Sequence, residues 1–94
     1  MKPPTPLTHE EVDTALADSA WERVGDVITL ERSFGSFAEA LGFVVSLGAI
    51  AEAQDHHPEI SLSWVTVRVE VSTHQISGLS ERDVELARRV DQLR

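Results

Sequence analysis

Apolar residues fall at Phe37, Ala40, Leu41, Val44, Gly48 and Ala51, three and four positions apart, the period of a single helical stripe. Ser36 and Glu39 precede it as a capping box, so the pattern predicts a main helix that lays this stripe on a sheet. Pro58 ends it: the proline ring collides with the preceding residue and pushes His57 out of helical geometry. The helix therefore finishes near Asp55 or His56, and two adjacent histidines lie at its C-terminal end.

Two further helices carry similar signals. Thr8 and Glu11 make a capping box and Leu7 and Val12 a hydrophobic staple, which starts a short helix running to about Ala17. Ser80 with Asp83 is a third, weaker cap, stapled by Leu79 and Val84, and Leu86, Ala87, Val90 and Leu93 continue its apolar stripe. Trp21–Val24 and Val27–Phe34 are rich in strand formers and flank Gly25-Asp26, a pair with turn chemistry, so they predict a hairpin. From Ile60 to Thr73 apolar residues alternate, but Ile60, Leu62 and Trp64 share one parity and Val65, Val67, Val69 and Val71 the other. At that slip either one strand bulges or two strands meet in a tight turn. Strands thus arrive in neighbouring pairs between helices, which points to an α+β fold with an antiparallel sheet. Residues 1–6 hold three prolines and no periodicity and are expected to form a loose tail; residues 7–94 make one domain.

Composition narrows the function. With 94 residues the chain has room for a single core, and a domain of this size gains from the extra burial that oligomerisation supplies. A formal net charge of -8 with eight Lys and Arg leaves no basic stripe for a phosphate backbone, so nucleic acid is not an expected partner. No apolar run of membrane-spanning length and no leader pattern at Met1 stand out, so the expected location is cytoplasmic. Without cysteine, chemistry falls to histidines, carboxylates and hydroxyls.

Three of the four histidines, His56, His57 and His74, lie at element ends. Glu52 precedes His56 by four residues, so while the helix persists its carboxylate shares a face with the imidazole and can orient it. Imidazole is the side chain that exchanges protons near neutral pH, which makes this an acid-base arrangement in outline. His74 follows the Val65–Thr73 run on the parity of Arg68, Glu70 and Ser72, so it points away from the apolar face. Plainer readings stand beside these. His56 and His57 would serve to cap the last helical carbonyls, Asp83 to cap the third helix, and Trp21 and Trp64 as core or interface aromatics. A metal site from His56, His57, His74 and Glu52 lacks any H-E-x-x-H or comparable spacing.

The series Glu52, three residues, His56-His57-Pro58, five residues, Trp64, nine residues, His74, eight residues, Asp83 resembles the signature of the pterin-4a-carbinolamine dehydratases. Ser72-Thr73-His74 and Gly78-Leu79-Ser80-Glu81-Arg82-Asp83 are similar to the family as well, and the likeness runs over about residues 7 to 93. Trp64 stands where tyrosine is frequent, and Ile60 replaces an aromatic found in some members. The resemblance implies a four-stranded antiparallel sheet with three helices on one face, in the order αββαββα, and resolves the slip at Trp64 into two strands. It implies a homodimer or homotetramer, with edge strands paired between subunits and helices packed across them. The implied reaction is dehydration of 4a-hydroxytetrahydropterin to quinonoid dihydropterin, with neither metal nor organic cofactor. His56 and His74 would then transfer protons and His57 would position the pterin and assist, making these three the catalytic set. Glu52 would orient His56, and Asp55, Ser72, Thr73, Trp21 and Asp83 would complete the substrate-binding residues. Some members of the family also stabilise or assemble other proteins, so a non-catalytic binding module is the alternative that the resemblance carries.

Overall fold

A computed structural model describes residues 3–93, and Met1, Lys2 and Arg94 lie outside the described residues. Its elements are α1 (His9–Ala15), β1 (Glu22–Val24), β2 (Val27–Ser33), α2 (Phe37–Gln54), β3 (Glu59–Ser63), β4 (Thr66–Val71), a 3₁₀ turn (His74–Ile76) and α3 (Glu81–Asp91). The four strands form one antiparallel sheet in the order β1-β2-β4-β3. Period-two alternation divides its faces. Ile28 and Leu30 of β2 and Val67, Val69 and Val71 of β4 enter the core, where Val12, Leu16, Leu47, Leu86 and Val90 from the three helices cover them. Glu31, Arg68 and Glu70 turn to the other, uncovered face, on which Arg68 Nε donates to Glu31 Oε1 of the neighbouring strand at 2.7 Å.

Both hairpins close through two residues with a positive φ at the first, as primed turns require. Gly25 (φ 61°) meets that requirement between β1 and β2 without steric cost, and Trp64 (φ 54°) meets it between β3 and β4 despite its side chain. The slip in parity is therefore a turn and not a bulge.

The capping boxes at Thr8/Glu11 and Ser80/Asp83 are complete. At α2 only half of the expected box forms: Ser36 Oγ accepts from Glu39 N at 3.1 Å. The expected stripe on α2 also needs correction, because the buried residues are Ala40, Phe43, Leu47 and Ala51, whereas Phe37, Leu41 and Val45 face outward. The helix is apolar on nearly every side, so sequence period alone does not choose its inner face. This 18-residue helix, with a mean hydropathy of 1.3, is by length and composition apolar enough to cross a membrane, contrary to the expectation that no run comes near that length. In this fold one of its faces is committed to the core.

The expected loose tail is tied down from Thr5 onward. Pro6 pairs with Ser80, Leu7 N donates to Leu79 O at 3.0 Å, and Glu81 N donates to Thr5 O at 3.2 Å. The start of the chain therefore braces the N-terminus of α3.

Candidate active site

Three chain segments converge where α2 ends, β4 ends and α3 begins. α2 stops in a left-handed residue, Asp55 (φ 53°, ψ 44°), and His56 N donates back to Ala51 O at 3.1 Å. Asn, Asp and Gly tolerate this conformation best, and it reverses the chain at once. The two histidines that follow are thereby sent in different directions: His56 is buried and His57 is exposed.

His56 Nε2 lies 2.6 Å from Asp83 Oδ1. Asp83 is fully buried, at 0% exposure, and its other oxygen accepts from Ser80 N at 2.9 Å and from the Thr73 hydroxyl at 2.8 Å. A carboxylate only accepts, so His56 carries its proton on Nε2 and leaves Nδ1 as the nitrogen free to react. His57 Nε2 lies 3.0 Å from Glu52 Oε1, and both side chains are exposed. This corrects the expected pairing of Glu52 with His56. The four-residue spacing holds only along a continuous helix, and the left-handed Asp55 breaks the phase before His56 is reached.

His74 opens the 3₁₀ turn directly after β4 and is exposed. Thr73 and Gly78 pair across the base of this turn, with Thr73 N donating to Gly78 O at 2.8 Å, and Ser77 N donates to His74 O at 3.1 Å. Because Thr73 also donates to Asp83, the backbone that bears His74 stands two hydrogen bonds from the His56 ring. Asp55 is exposed and Ser72 partly so, which leaves both side chains open to a bound molecule.

Three residues expected to contact substrate are placed otherwise. Trp21 is a core side chain, 2% exposed, held beneath the start of β1. Thr73, also 2% exposed, spends its hydroxyl on Asp83 and Ser80. Asp83, fully buried, combines the expected capping role with a hold on His56. Thr73 and Ser80 were legible as strand end and cap, but their joint grip on Asp83 depends on a tertiary approach that no local spacing encodes.

Among the described residues no group of three His, Cys, Asp or Glu side chains is placed to hold a metal ion. A broad groove of ≈750 Å³ lies on the uncovered sheet face, lined by Glu22, Thr29, Glu31, Glu59, Arg68 and Glu70 among others, and includes none of the histidines. Its breadth follows from the missing cover on that face, and it offers no imidazole for proton transfer.

Comparison with known proteins bears directly on this arrangement. The family profile described as Pterin 4 alpha carbinolamine dehydratase matches residues 5–93. A provisionally named pterin-4-alpha-carbinolamine dehydratase of Natronomonas pharaonis is 39% identical over 87 residues, covering 93% of this chain and 94% of that protein. One from Methylococcus capsulatus, named in the same way, is 42% identical over 91 residues, covering 94% of this chain and 80% of the other. A crystal structure described as a transcriptional coactivator/pterin dehydratase from Brucella melitensis superimposes with a TM-score of 0.83 at 34% identity, over 89% of this chain and 93% of that one. A pterin dehydratase-like protein described as a RuBisCO assembly factor in the alpha-carboxysome shares the fold, with a TM-score of 0.62 at 24% identity over 76% of this chain and 82% of that one.

Proposed function

Because the chain belongs to the pterin-4-alpha-carbinolamine dehydratase family, we propose that it removes water from 4a-hydroxytetrahydropterin to give quinonoid dihydropterin, as a step of tetrahydropterin recycling. The observation that carries this reading is the buried His56–Asp83 pair, which fixes one imidazole through a carboxylate that also holds Thr73, the residue before His74. Dehydration needs a proton delivered to the departing 4a-oxygen and another taken from a ring nitrogen, with the C–O bond broken between them. The net proton count is unchanged, so a donor and an acceptor of similar strength suffice, and two imidazoles serve both tasks near neutral pH.

In this reading His56 and His74 exchange protons with the substrate, and His57, steadied by Glu52, positions the pterin. Asp55 and Ser72 offer polar contacts at the rim. Asp83 acts through His56, by fixing its tautomer and ring plane. The same proposal includes a homo-oligomer, supported by the outward apolar residues Phe37, Leu41 and Val45 of α2, the last 65% exposed.

That outward face also favours the second reading, a non-catalytic assembly module of the same fold. Rapid-mixing absorbance of freshly generated 4a-hydroxytetrahydropterin, with a chelator present at neutral pH, separates the two. An acceleration over spontaneous decay supports the dehydratase; decay at the spontaneous rate removes it and leaves the module.

A further inference from the structure

The proton inventory around Asp83 leads to Thr73, which the family likeness implies as a substrate contact but whose buried hydroxyl is turned to Asp83 and Ser80 instead. Thr73 Oγ1 lies 2.7 Å from Ser80 Oγ and 2.8 Å from Asp83 Oδ2. A hydroxyl has a single proton, and Asp83 as a carboxylate has none to give, so the Thr73 proton goes to Asp83 and Ser80 donates to Thr73. Ser80 Oγ in turn accepts from Arg82 N at 3.2 Å, inside the first turn of α3. The donors therefore run one way, from Ser80 to Thr73 to Asp83, and meet the His56 Nε2 proton arriving from the other side. Together with the Ser80 amide, which donates to Asp83 Oδ2 at 2.9 Å, this chain holds the carboxylate plane.

We infer that Thr73 is a positioning residue for the pair of proton-transferring histidines. Its buried hydroxyl locks the Asp83 carboxylate and hence the His56 ring. Its backbone pairs with Gly78 at the base of the turn that starts at His74. One residue thus sets both imidazoles against each other, although its side chain is 2% exposed and has no path to a bound pterin. The catalytic part of this inference rests on the dehydratase reading; the hold on His56 does not.

The test is a pair of substitutions with two readouts. Thr73→Val keeps the branched shape and removes the hydroxyl, and Thr73→Ser restores the hydroxyl alone. Long-range ¹H–¹⁵N correlation of the imidazoles should show His56 as the Nε2–H tautomer in the unaltered protein and as a mixture in Thr73→Val. The kcat for 4a-hydroxytetrahydropterin should fall about tenfold to a hundredfold in Thr73→Val, the cost expected for misplacing a reacting group. KM should stay within about threefold, because no substrate contact is lost, and Thr73→Ser should return kcat and tautomer together. Should Thr73→Val fail to fold, Ser80→Ala frees the same hydroxyl to rotate away from Asp83 and should shift the tautomer in the same direction, more weakly. An Nδ1–H tautomer in the unaltered protein overturns the inference. So does unchanged kcat in folded Thr73→Val, or a mutant tautomer identical to the parent. If the unaltered protein shows no dehydratase rate, the functional reading falls, while the tautomer measurements still decide whether Thr73 holds His56.

Discussion

His56 donates its Nε2 proton to Asp83 Oδ1 across 2.6 Å, and the same carboxylate caps the first turn of α3 by accepting from Ser80 N. One buried side chain therefore joins the end of one helix to the start of another and sets the reactive ring between them. Removing it strands three donors: the imidazole N–H, the Thr73 hydroxyl and the Ser80 amide. Buried donors left unpaired cost about 1–3 kcal/mol each, so Asp83→Ala should lose at least about 3 kcal/mol in urea unfolding. Asp83→Asn, of equal shape, should lose less stability and still reduce kcat by about tenfold or more, since its amide group cannot accept from all three donors. Asp83→Asn with parental kcat would show that His56 needs no carboxylate to hold it.

His74 presents the opposite balance. It is exposed, and its side chain has no hydrogen-bond partner among the described residues. His74→Ala should leave unfolding within about 0.5 kcal/mol of the parent, as surface changes do. Turnover should nonetheless fall by about 10² to 10⁴, the range for losing a general acid or base. Full activity in His74→Ala would take this residue out of the mechanism.

Much of this arrangement was legible in the chain. The caps at Thr8 and Ser80, the alternation Val67-Val69-Val71 and the break at Pro58 are local rules, and each produced the element it implies. What escaped needs three-dimensional information. The left-handed Asp55 swaps the expected carboxylate partners, so Asp83, 27 residues away, takes His56 and Glu52 takes His57. An all-round apolar α2 hides its inner face, and Trp64 supplies a positive φ at a turn where neither Gly nor Asn announces it. The pairing of Pro6 with Ser80 joins chain ends that no short window spans.

The partner exchange at Glu52 has a consequence of its own. Glu52 and His57 are both exposed, so their contact at 3.0 Å adds little to stability. Glu52→Gln should therefore unfold within about 0.5 kcal/mol of the parent. Its kinetic effect should match that of His57→Ala, chiefly a rise in KM, and the double substitution should be no worse than His57→Ala alone. A loss of kcat in Glu52→Gln that adds to the loss in His57→Ala would mean that Glu52 acts on another group.

Acid should weaken the N-terminal helix through two of its carboxyls, Glu11 and Asp13. Hydrogen bonds from the Thr8 amide and hydroxyl hold the Glu11 carboxyl below the usual carboxylate range, and the Arg23 guanidinium, 2.7 Å from Asp13, does the same for Asp13. A carboxyl whose folded pKa is depressed contributes stability that is complete above its unfolded pKa and is lost as pH falls through the folded one. Melting temperature should therefore hold near neutrality and decline once pH drops below the ordinary carboxylate range. In Asp13→Asn that decline should be shallower. A melting temperature indifferent to acid, or an identical slope in Asp13→Asn, would contradict these assignments.

Phe37, Leu41 and Val45 lie four residues apart on α2 and form a strip that the core does not use. A small domain leaves such a strip in water only at a cost, and a second copy of the chain covers it without any new sequence requirement. Sedimentation velocity should find a dimer or tetramer at micromolar concentration. Leu41→Glu combined with Val45→Glu should convert it to a monomer, because two charges cannot be buried unpaired across the strip. The monomer should keep its fold, since both positions already face outward. At the helical rise, Val45 stands about 13 Å along the axis from Gln54, so the histidines beyond the helix end should retain most of their activity. A parent protein that sediments as a monomer, or a doubly charged variant that keeps its mass, would assign the strip to something other than a second copy.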